Sequence, residues 1–536
     1  MAIAPSPSVP PPPSPSATPG PLHLPLFRAL WIATIVSNVG TWMHDAGAGW
    51  LMTSLSEAPI MVALVQAATT LPMFLFALPG GALADIVDRR RLLIGAQLWA
   101  LACAGLLAVL TFMGLTGPLV LLALTFAIAT GAALSAPAFQ AIVPELVPRP
   151  ALPDAVALNS LGINISRAIG PALGGFIIAA AGTPAVFALN AMSVLGVMVV
   201  LVAWRRQVAA PTLPAERFFG ALRAGARYAR HSPALQTVLI RSIGFFLFAS
   251  ALWAFVPIIA RRELGLGPAA YGGLLGCMGA GAVLGAVLLP HVRARTGANG
   301  LTIGATILFA LVAVGLAHAR NFGEAAGAMA LAGMGWIAML SSFNVAAQMA
   351  VPAWVKARAL AVNLLVFQGS MAAGSTLWGT LAGHLGIPMT LMVAATGQIL
   401  ALVLALRWRI SGEGAGNLTP SSHWPVPLAV ADMPADRGPV MITVEYRVDP
   451  ARVADFSAAM QVLRRIRHRD GAISWGLYED AAEPGRMVES FVLESWLEHL
   501  RQHERVTHAD RENQEAVRAF HLGPDAPIVR HLIAPS

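Results

Sequence analysis

Charge is what this chain lacks. Of its 536 residues only 12% are Asp, Glu, Lys or Arg, while 56% are hydrophobic. Soluble domains carry about 25% charged residues, so a water-soluble fold is excluded and a multi-spanning membrane protein is expected. Cysteine is almost absent, and Cys103 and Cys277 both fall in apolar runs. That excludes a disulfide framework or a cysteine zinc site and leaves buried thiols. The N-terminal pattern is not that of a cleavable signal peptide. No glycine-rich loop ending in Gly-Lys-Ser/Thr occurs, so nucleotide hydrolysis is excluded as the energy source and an ion gradient is expected. No flavin, haem or metal motif appears, and no cofactor is expected. The net charge of +8 comes from arginines in short loops between apolar runs. Loop retention of positive charge accounts for them, and nucleic acid is not an expected partner.

What is present is a series of apolar segments from Phe27 to Leu406, organised around one charged loop. Twelve are counted, over 28–54, 59–83, 91–114, 118–140, 155–181, 184–204, 234–259, 269–290, 300–317, 322–348, 357–383 and 387–407. Each is long enough to cross the bilayer, which needs roughly 20 residues. The loop between the second and third reads Gly81, Asp85, Arg89, Arg90 and Arg91. Its arginines place it in the cytoplasm, and Gly81 suggests a close helix approach. Alternate loops repeat this bias, whereas the opposite side holds only Arg261, Arg262 and Arg320. Both termini are therefore expected in the cytoplasm.

A shift of 204 residues superimposes the two halves. Gly81 meets Gly285, Gly131 meets Gly335, Gln140 meets Asn344, Asn164 meets Gln368, Gly170 meets Gly374 and Gly175 meets Gly379. Two six-helix repeats follow, at 27–204 and 234–410, joined by a central cytoplasmic loop at 205–233. Halves related about the membrane normal suit alternating access.

These residues resemble the major facilitator superfamily of transporters, and specifically its bacterial exporter branch that includes enterobactin exporters. The loop Gly81-x-x-x-Asp85 with Arg90 and Arg91, and the run Gly170-Pro171-Ala172-Leu173-Gly174-Gly175, carry the likeness. The resemblance covers about residues 27–410 and implies a secondary transporter of small amphipathic molecules, siderophores or drugs, with protons as counter-ion. It also implies that Asp85 caps the start of the eleventh helix. Ile86 and Asp88 depart from the family loop, where a base and a glycine are usual. Ser166 replaces one glycine of the antiporter motif, so import by the same fold stays an alternative to export.

Ionisable groups inside a membrane are costly and point to function. Asn38, Trp42, Asp45 and Gly49 recur at three- and four-residue spacing and share one face of the first helix. A carboxylate there can take up a proton when desolvated and release it when hydrated or paired. The alternative is that Asp45 merely solvates an outer vestibule. His44, its neighbour, points elsewhere. Arg167 lies about 20 Å from either end of the fifth helix by helical rise, and at that depth it needs a partner. An Asp45–Arg167 ion pair is expected; ties from Arg167 to backbone carbonyls near the Gly170-Pro171 break are the alternative. Asn38 and Asn164 join them as polar cavity groups. Arg241, near the cytoplasmic end of its helix, is expected to snorkel to the headgroups. Trp42, Asn344 and Gln348 are candidate substrate contacts, though such amides also hold helices together. Phe245, Phe248 and Trp253 suit either an apolar cavity or lipid.

After Arg409 the composition changes. A linker rich in Gly, Pro and Ser spans 411–438, and residues 1–26 form a proline-rich tail expected to be disordered. Between 439 and 536 the pattern reads strand 440–448, helix 450–467, strand 473–478, strand 487–494, helix 495–520 and strand 528–533. That order is the ferredoxin-like split unit. It resembles the small α+β barrels of the antibiotic-biosynthesis monooxygenase group, with Trp496 and His503 at spacings seen there. One Trp and one His make no catalytic set, so self-association or regulation is the expected role, and a cofactor-free oxygenase is the alternative. The fold class is thus an all-α membrane protein of twelve transmembrane helices with a small α+β domain.

Overall fold

The computed structural model describes residues 20–204, 218–410, 416–421, 423–424 and 437–534. Most of the proline-rich tail, Arg205, Arg206 and Arg217 of the central loop, and most of the linker lie outside the described residues. Within the tail expected to be disordered, Pro21–His23 form a turn that leads directly into α1.

The helices are α1 (Pro25–Leu55), α2 (Pro59–Ile86), α3 (Arg89–Phe112), α4 (Pro118–Leu146), α5 (Leu152–Ala181) and α6 (Thr183–Ala203). There follow α7 (Phe218–His231), α8 (Pro233–Ile258), α9 (Pro268–His318), α10 (Phe322–Met349), α11 (Lys356–Leu385), α12 (Ile387–Ala401) and α13 (Val403–Arg407). Ten are long and apolar enough to cross a membrane among the described residues. α1 is not one of the ten; Arg28, Asn38, His44 and Asp45 interrupt its apolar run. α9, with 51 residues, changes direction at Gly297, whose φ of 68° is open to glycine without strain.

The chain divides into two compact units. The first holds residues up to Leu51, Pro79–Val208 and Gly267–Gly276. Its interior is built by α3 lying against α4 and α6, with Leu93, Ala138, Ile142, Val197 and Leu201 buried together. Proline at the first turns of α4, α5 and α6 sets their starts, where no amide partner is missed.

The second unit holds Met52–Leu78, Ala209–Leu266 and Cys277–Ser536. Here α8 packs against α11 and α12 around an aromatic centre. Phe246 stacks edge-on to Trp336, Phe343 and Phe367, and Phe245 to Phe309. Phe245 therefore forms interior core and faces neither a cavity nor lipid, and Phe248 rests on Trp378. Arg241 does not snorkel. It is buried and donates to Asn299 (2.9 Å), Thr302 (2.9 Å) and the Trp408 carbonyl (3.3 Å). At the end of α8, Arg262 donates to the Thr53, Ser56 and Glu57 carbonyls, satisfying the open end of α1.

Packing at two matched glycine pairs follows the 204-residue shift, whereas Gly81 is open where Gly285 lies against the Met334 Cα at 2.9 Å. Gly131 of α4 lies on Trp99 of α3, as Gly335 of α10 lies on Phe309 of α9. Gly170 of α5 lies on Trp42 of α1, as Gly374 of α11 lies on Leu247 of α8.

Within the expected central loop, Phe218–His231 is helical, and Tyr228 is buried and donates to the Ala350 carbonyl (3.0 Å). The C-terminal sheet has the order β2 (Ser474–Glu479), β3 (Arg486–Leu493), β1 (Val440–Arg447), β4 (Ile528–Ile533), all antiparallel. α14 (Val453–Asp470) follows β1, while α15 (Trp496–Arg505) and α16 (His508–Arg518) follow β3. The single helix expected over 495–520 is thus two. Thr507 starts α16 with a reciprocal cap, accepting from the Asp510 amide while Asp510 accepts from the Thr507 amide. The core is Val440, Ile442, Phe456, Met460, Leu463, Phe491 and Leu493.

Candidate functional site

The first unit brings α1, α5 and the start of α9 together through residues without side chains. A Cβ on Gly170 would meet the Val39 carbonyl at 3.0 Å, and one on Gly174 the Met43 Cα at 3.1 Å. A Cβ on Gly175 would meet the Pro268 carbonyl at 2.6 Å and collide with Gly272. Ser166, where the family motif has glycine, donates to the Ile35 carbonyl (3.2 Å) and the Gly162 carbonyl (2.9 Å), adding a polar stitch between α5 and α1. Gly175→Val is therefore expected to destabilise the protein by about 1–3 kcal/mol or more, since overpacking displaces backbone. A drop in the unfolding temperature of the purified transporter checks it.

Beside this seam sit the ionisable residues. Trp42 and Asp45 occupy the same face of α1, both half-buried. The expected Asp45–Arg167 ion pair does not form. The Arg167 guanidinium instead lies over the Trp42 ring at 5.2 Å, with its Nε buried and without a hydrogen-bond partner. A cation over an indole face is attracted by the ring quadrupole, which offers this arginine a contact at depth. Asp45 has no hydrogen bond or ion pair among the described residues. It interacts electrostatically with Tyr271 of α9, whose ring stacks on Trp50 at 5.4 Å. No local sequence signal marks Tyr271, because its contact with α1 is long-range. His44 faces away and packs on Phe187 of α6 at 4.9 Å.

Other expected residues fall elsewhere. Asn38 is half-buried on the Asp45 face. Asn164 is exposed and donates to the Ser160 carbonyl of its own helix (2.9 Å). Asn344 and Gln348 are exposed, one turn apart on α10.

In the charged loop, Gly81 does not make the close approach expected of it. Its Cβ position is open, whereas a Cβ on Gly80 would meet the Leu134 Cα at 2.9 Å. Asp88, the departure from the family pattern, caps α3 by accepting from the Arg91 amide (3.0 Å). Arg90 donates to the Leu201 and Val202 carbonyls at 2.7 Å, closing the end of α6. Arg89 pairs with Glu145 at 2.9 Å. The Asp85 side chain lies outside the described residues.

In the C-terminal domain, Trp496 is buried beside His499 and His531, and His503 lies 4.7 Å from His499 between ring centres. Linker residues 416–421 and 423–424 are docked on this domain: Trp424 donates to Gln514 (2.8 Å) and its ring meets His503 at 4.8 Å. Burial pushes His499 down to about 3 and His503 to about 4 from the ordinary 6.5. Both are neutral when folded and take protons on unfolding. Their stabilisation is fully present above pH 6.5 and is lost as pH falls through the interval down to about 4 and 3. Between pH 7 and 5 the domain is expected to lose hydrogen-exchange protection, and His503→Gln to flatten that loss.

A bacterial homologue of the lysosomal transporter Spinster, inward-facing and unoccupied, superposes with a TM-score of 0.59 at 13% identity, over 73% of this chain and 97% of that one. The nucleoside transporter NupG superposes with a TM-score of 0.58 at 11% identity, over 72% and 99%. The sequence model of the transmembrane secretion effectors matches residues 16–536. The chain belongs to this family, a branch of the major facilitator superfamily, and is a multi-pass membrane transporter. It is 26% identical over 384 residues to the enterobactin exporter EntS of Salmonella choleraesuis, across 71% of this chain and 90% of that protein. It is 30% identical over 156 residues to the staphyloferrin A transporter of Staphylococcus aureus, across 29% of this chain and 39% of that one.

Proposed function

We propose that this transporter exports small amphipathic molecules of the siderophore type by alternating access, in exchange for protons. The observation that carries the coupling is Asp45, held within α1 with neither a hydrogen bond nor an ion pair among the described residues, on the helix face of Trp42, over whose ring the Arg167 guanidinium lies. A carboxylate so placed can alternate between a protonated state and a state neutralised by Arg167 or by hydration. Arg167 over Trp42 keeps a cation within reach of that face, and Asn38 on the same face supplies a hydrogen-bonding group. The likeness to exporters named for enterobactin supports a catecholate or comparable polar-aromatic cargo, with Trp42, Asn344 and Gln348 as contacts.

The reading takes α1 and the two arms of α9 on either side of Gly297 as separate spans, twelve in all, and the like packing of Gly131 with Gly335 and of Gly170 with Gly374 supports two repeats. The strand order β2-β3-β1-β4 with its helical crossovers supports a ferredoxin-like C-terminal domain on the cytoplasmic side, with a regulatory or self-associating role.

Inside-out vesicles of the bacterial inner membrane test the reading. With an imposed proton gradient, uptake of labelled catecholate siderophore into the vesicles, accompanied by proton release, is expected from the overexpressing strain and not from the deletion strain. Accumulation in right-side-out vesicles instead would establish import. Proton-independent uptake would remove Asp45 from the coupling role.

A further inference from the structure

A cavity of about 310 Å³ opens where the tail domain meets the start of α8 and the end of α13, all within the second unit. Its lining carries Arg230 from α7, His231, Gln236 from the first turn of α8, Arg407, Trp408, and Arg465 from α14. Three exposed arginines line it, the Arg407 guanidinium lying over the Trp408 ring at 5.6 Å, and no carboxylate is among the lining residues. Arg230, Arg407 and Arg465 have no ion-pair partner among the described residues, whereas most other arginines of the tail domain are paired: Arg467 to Glu489, Arg469 to Asp470 and Asp510, and Arg486 to Glu445.

The wall is also fixed. The Trp408 carbonyl accepts from buried Arg241, which Asn299 and Thr302 hold in turn. Gln236 donates to the Arg230 carbonyl, tying α7 to α8. Ser232 caps α8 by accepting from the Leu235 amide, so the positive end of a 26-residue helix adds to the cavity's field. His231 stacks on His468 of the tail domain at 5.5 Å, closing one side.

We propose that this cavity binds a phosphate group, and that the bound phosphate joins the tail domain, through Arg465, to α7, through Arg230, and to the end of the last membrane-spanning segment, through Arg407. Guanidinium forks match phosphate oxygens in charge and geometry. A site of this size holds a phosphodiester or an inorganic phosphate and not a large cargo. Two sources offer that chemistry: the headgroup of an anionic lipid, or free phosphate in the cytosol. Trp408, directly after the last helix, is the residue type that settles at a headgroup layer.

Native mass spectrometry of the full-length protein tests the proposal, with phosphatidylglycerol, phosphatidylcholine and inorganic phosphate as separate probes. Retention of phosphatidylglycerol but not phosphatidylcholine is expected. Arg465→Gln should weaken it several-fold, and the triple variant Arg230→Gln/Arg407→Gln/Arg465→Gln at least about tenfold. Arg465→Lys should restore part of the binding, and Arg320→Gln should change nothing. Retention of inorganic phosphate alone, with the same dependence on the three arginines, would assign the site to free phosphate. Equal retention of phosphatidylglycerol by wild type and triple variant, or no retention of either anion by folded wild type, would overturn the proposal.

Discussion

Asp45→Asn is expected to abolish substrate-dependent proton release and to slow gradient-driven efflux at least about tenfold, a barrier change of about 1.4 kcal/mol or more. The amide keeps the shape of the carboxylate and removes its ability to exchange a proton. Unfolding temperature should be nearly unchanged or raised, because Asp45 has no hydrogen bond or ion pair among the described residues to lose on neutralisation. That combination separates coupling from structure. Substrate exchange at equal proton concentration on both sides should persist in the variant, since exchange needs no net proton movement. If net efflux and proton release both survive, Asp45 only solvates its surroundings. Arg167→Gln is expected to act differently, weakening substrate affinity and removing the contact over Trp42.

The second large effect lies in the tail. Glu489 is fully buried at the centre of the sheet and accepts from Arg467 Nε (2.9 Å) and Nη2 (3.1 Å) and from Trp475 Nε1 (3.0 Å). Arg467 also covers the Phe491 ring at 4.6 Å. Glu489→Ala leaves that guanidinium uncompensated in the interior, a loss of about 3–5 kcal/mol. Hydrogen exchange of β3 and α14 in the full-length protein should accelerate by roughly two to four orders of magnitude, while α3 and α6 exchange as before. Replacing both partners, Glu489→Met with Arg467→Met, should recover most of the protection, because a buried ion pair contributes little beyond a well-packed apolar pair. If Glu489→Ala alone exchanges like wild type, the pair carries no stability.

Membrane-spanning helices were legible in the sequence because a run of apolar residues has only one way to satisfy its backbone in lipid. α2, α6 and α12 begin where the pattern placed them, at Pro59, Thr183 and Ile387, within a residue. Strands β1 to β4 were legible for a comparable reason, their alternation being short but bounded. α7 was hidden by the arginines that suggested an open loop, although Tyr228 gives it a buried face. The break between α15 and α16 carried a local signal, Thr507 three residues before Asp510, that a continuous helical pattern obscured. The site was harder. Opposite charges on neighbouring helices suggested an Asp45–Arg167 pair, but no sequence pattern shows that the Arg167 guanidinium lies over the Trp42 ring. Gly80 and Gly81 are equivalent to any pattern, and only the packing of Leu134 distinguishes them.

The glycine seam has a kinetic meaning. Where α5 meets the start of α9, Gly175 and Gly272 face each other, and Gly276 faces Ala172. Interlocked leucines or phenylalanines would have to leave their rotamer wells, one after another, before such helices could part. A backbone-on-backbone contact has no teeth to disengage. It holds by dispersion over a short range and releases within a fraction of an ångström of travel. Opposed surfaces of that kind behave as a dry bearing: tight when closed, nearly frictionless when moving.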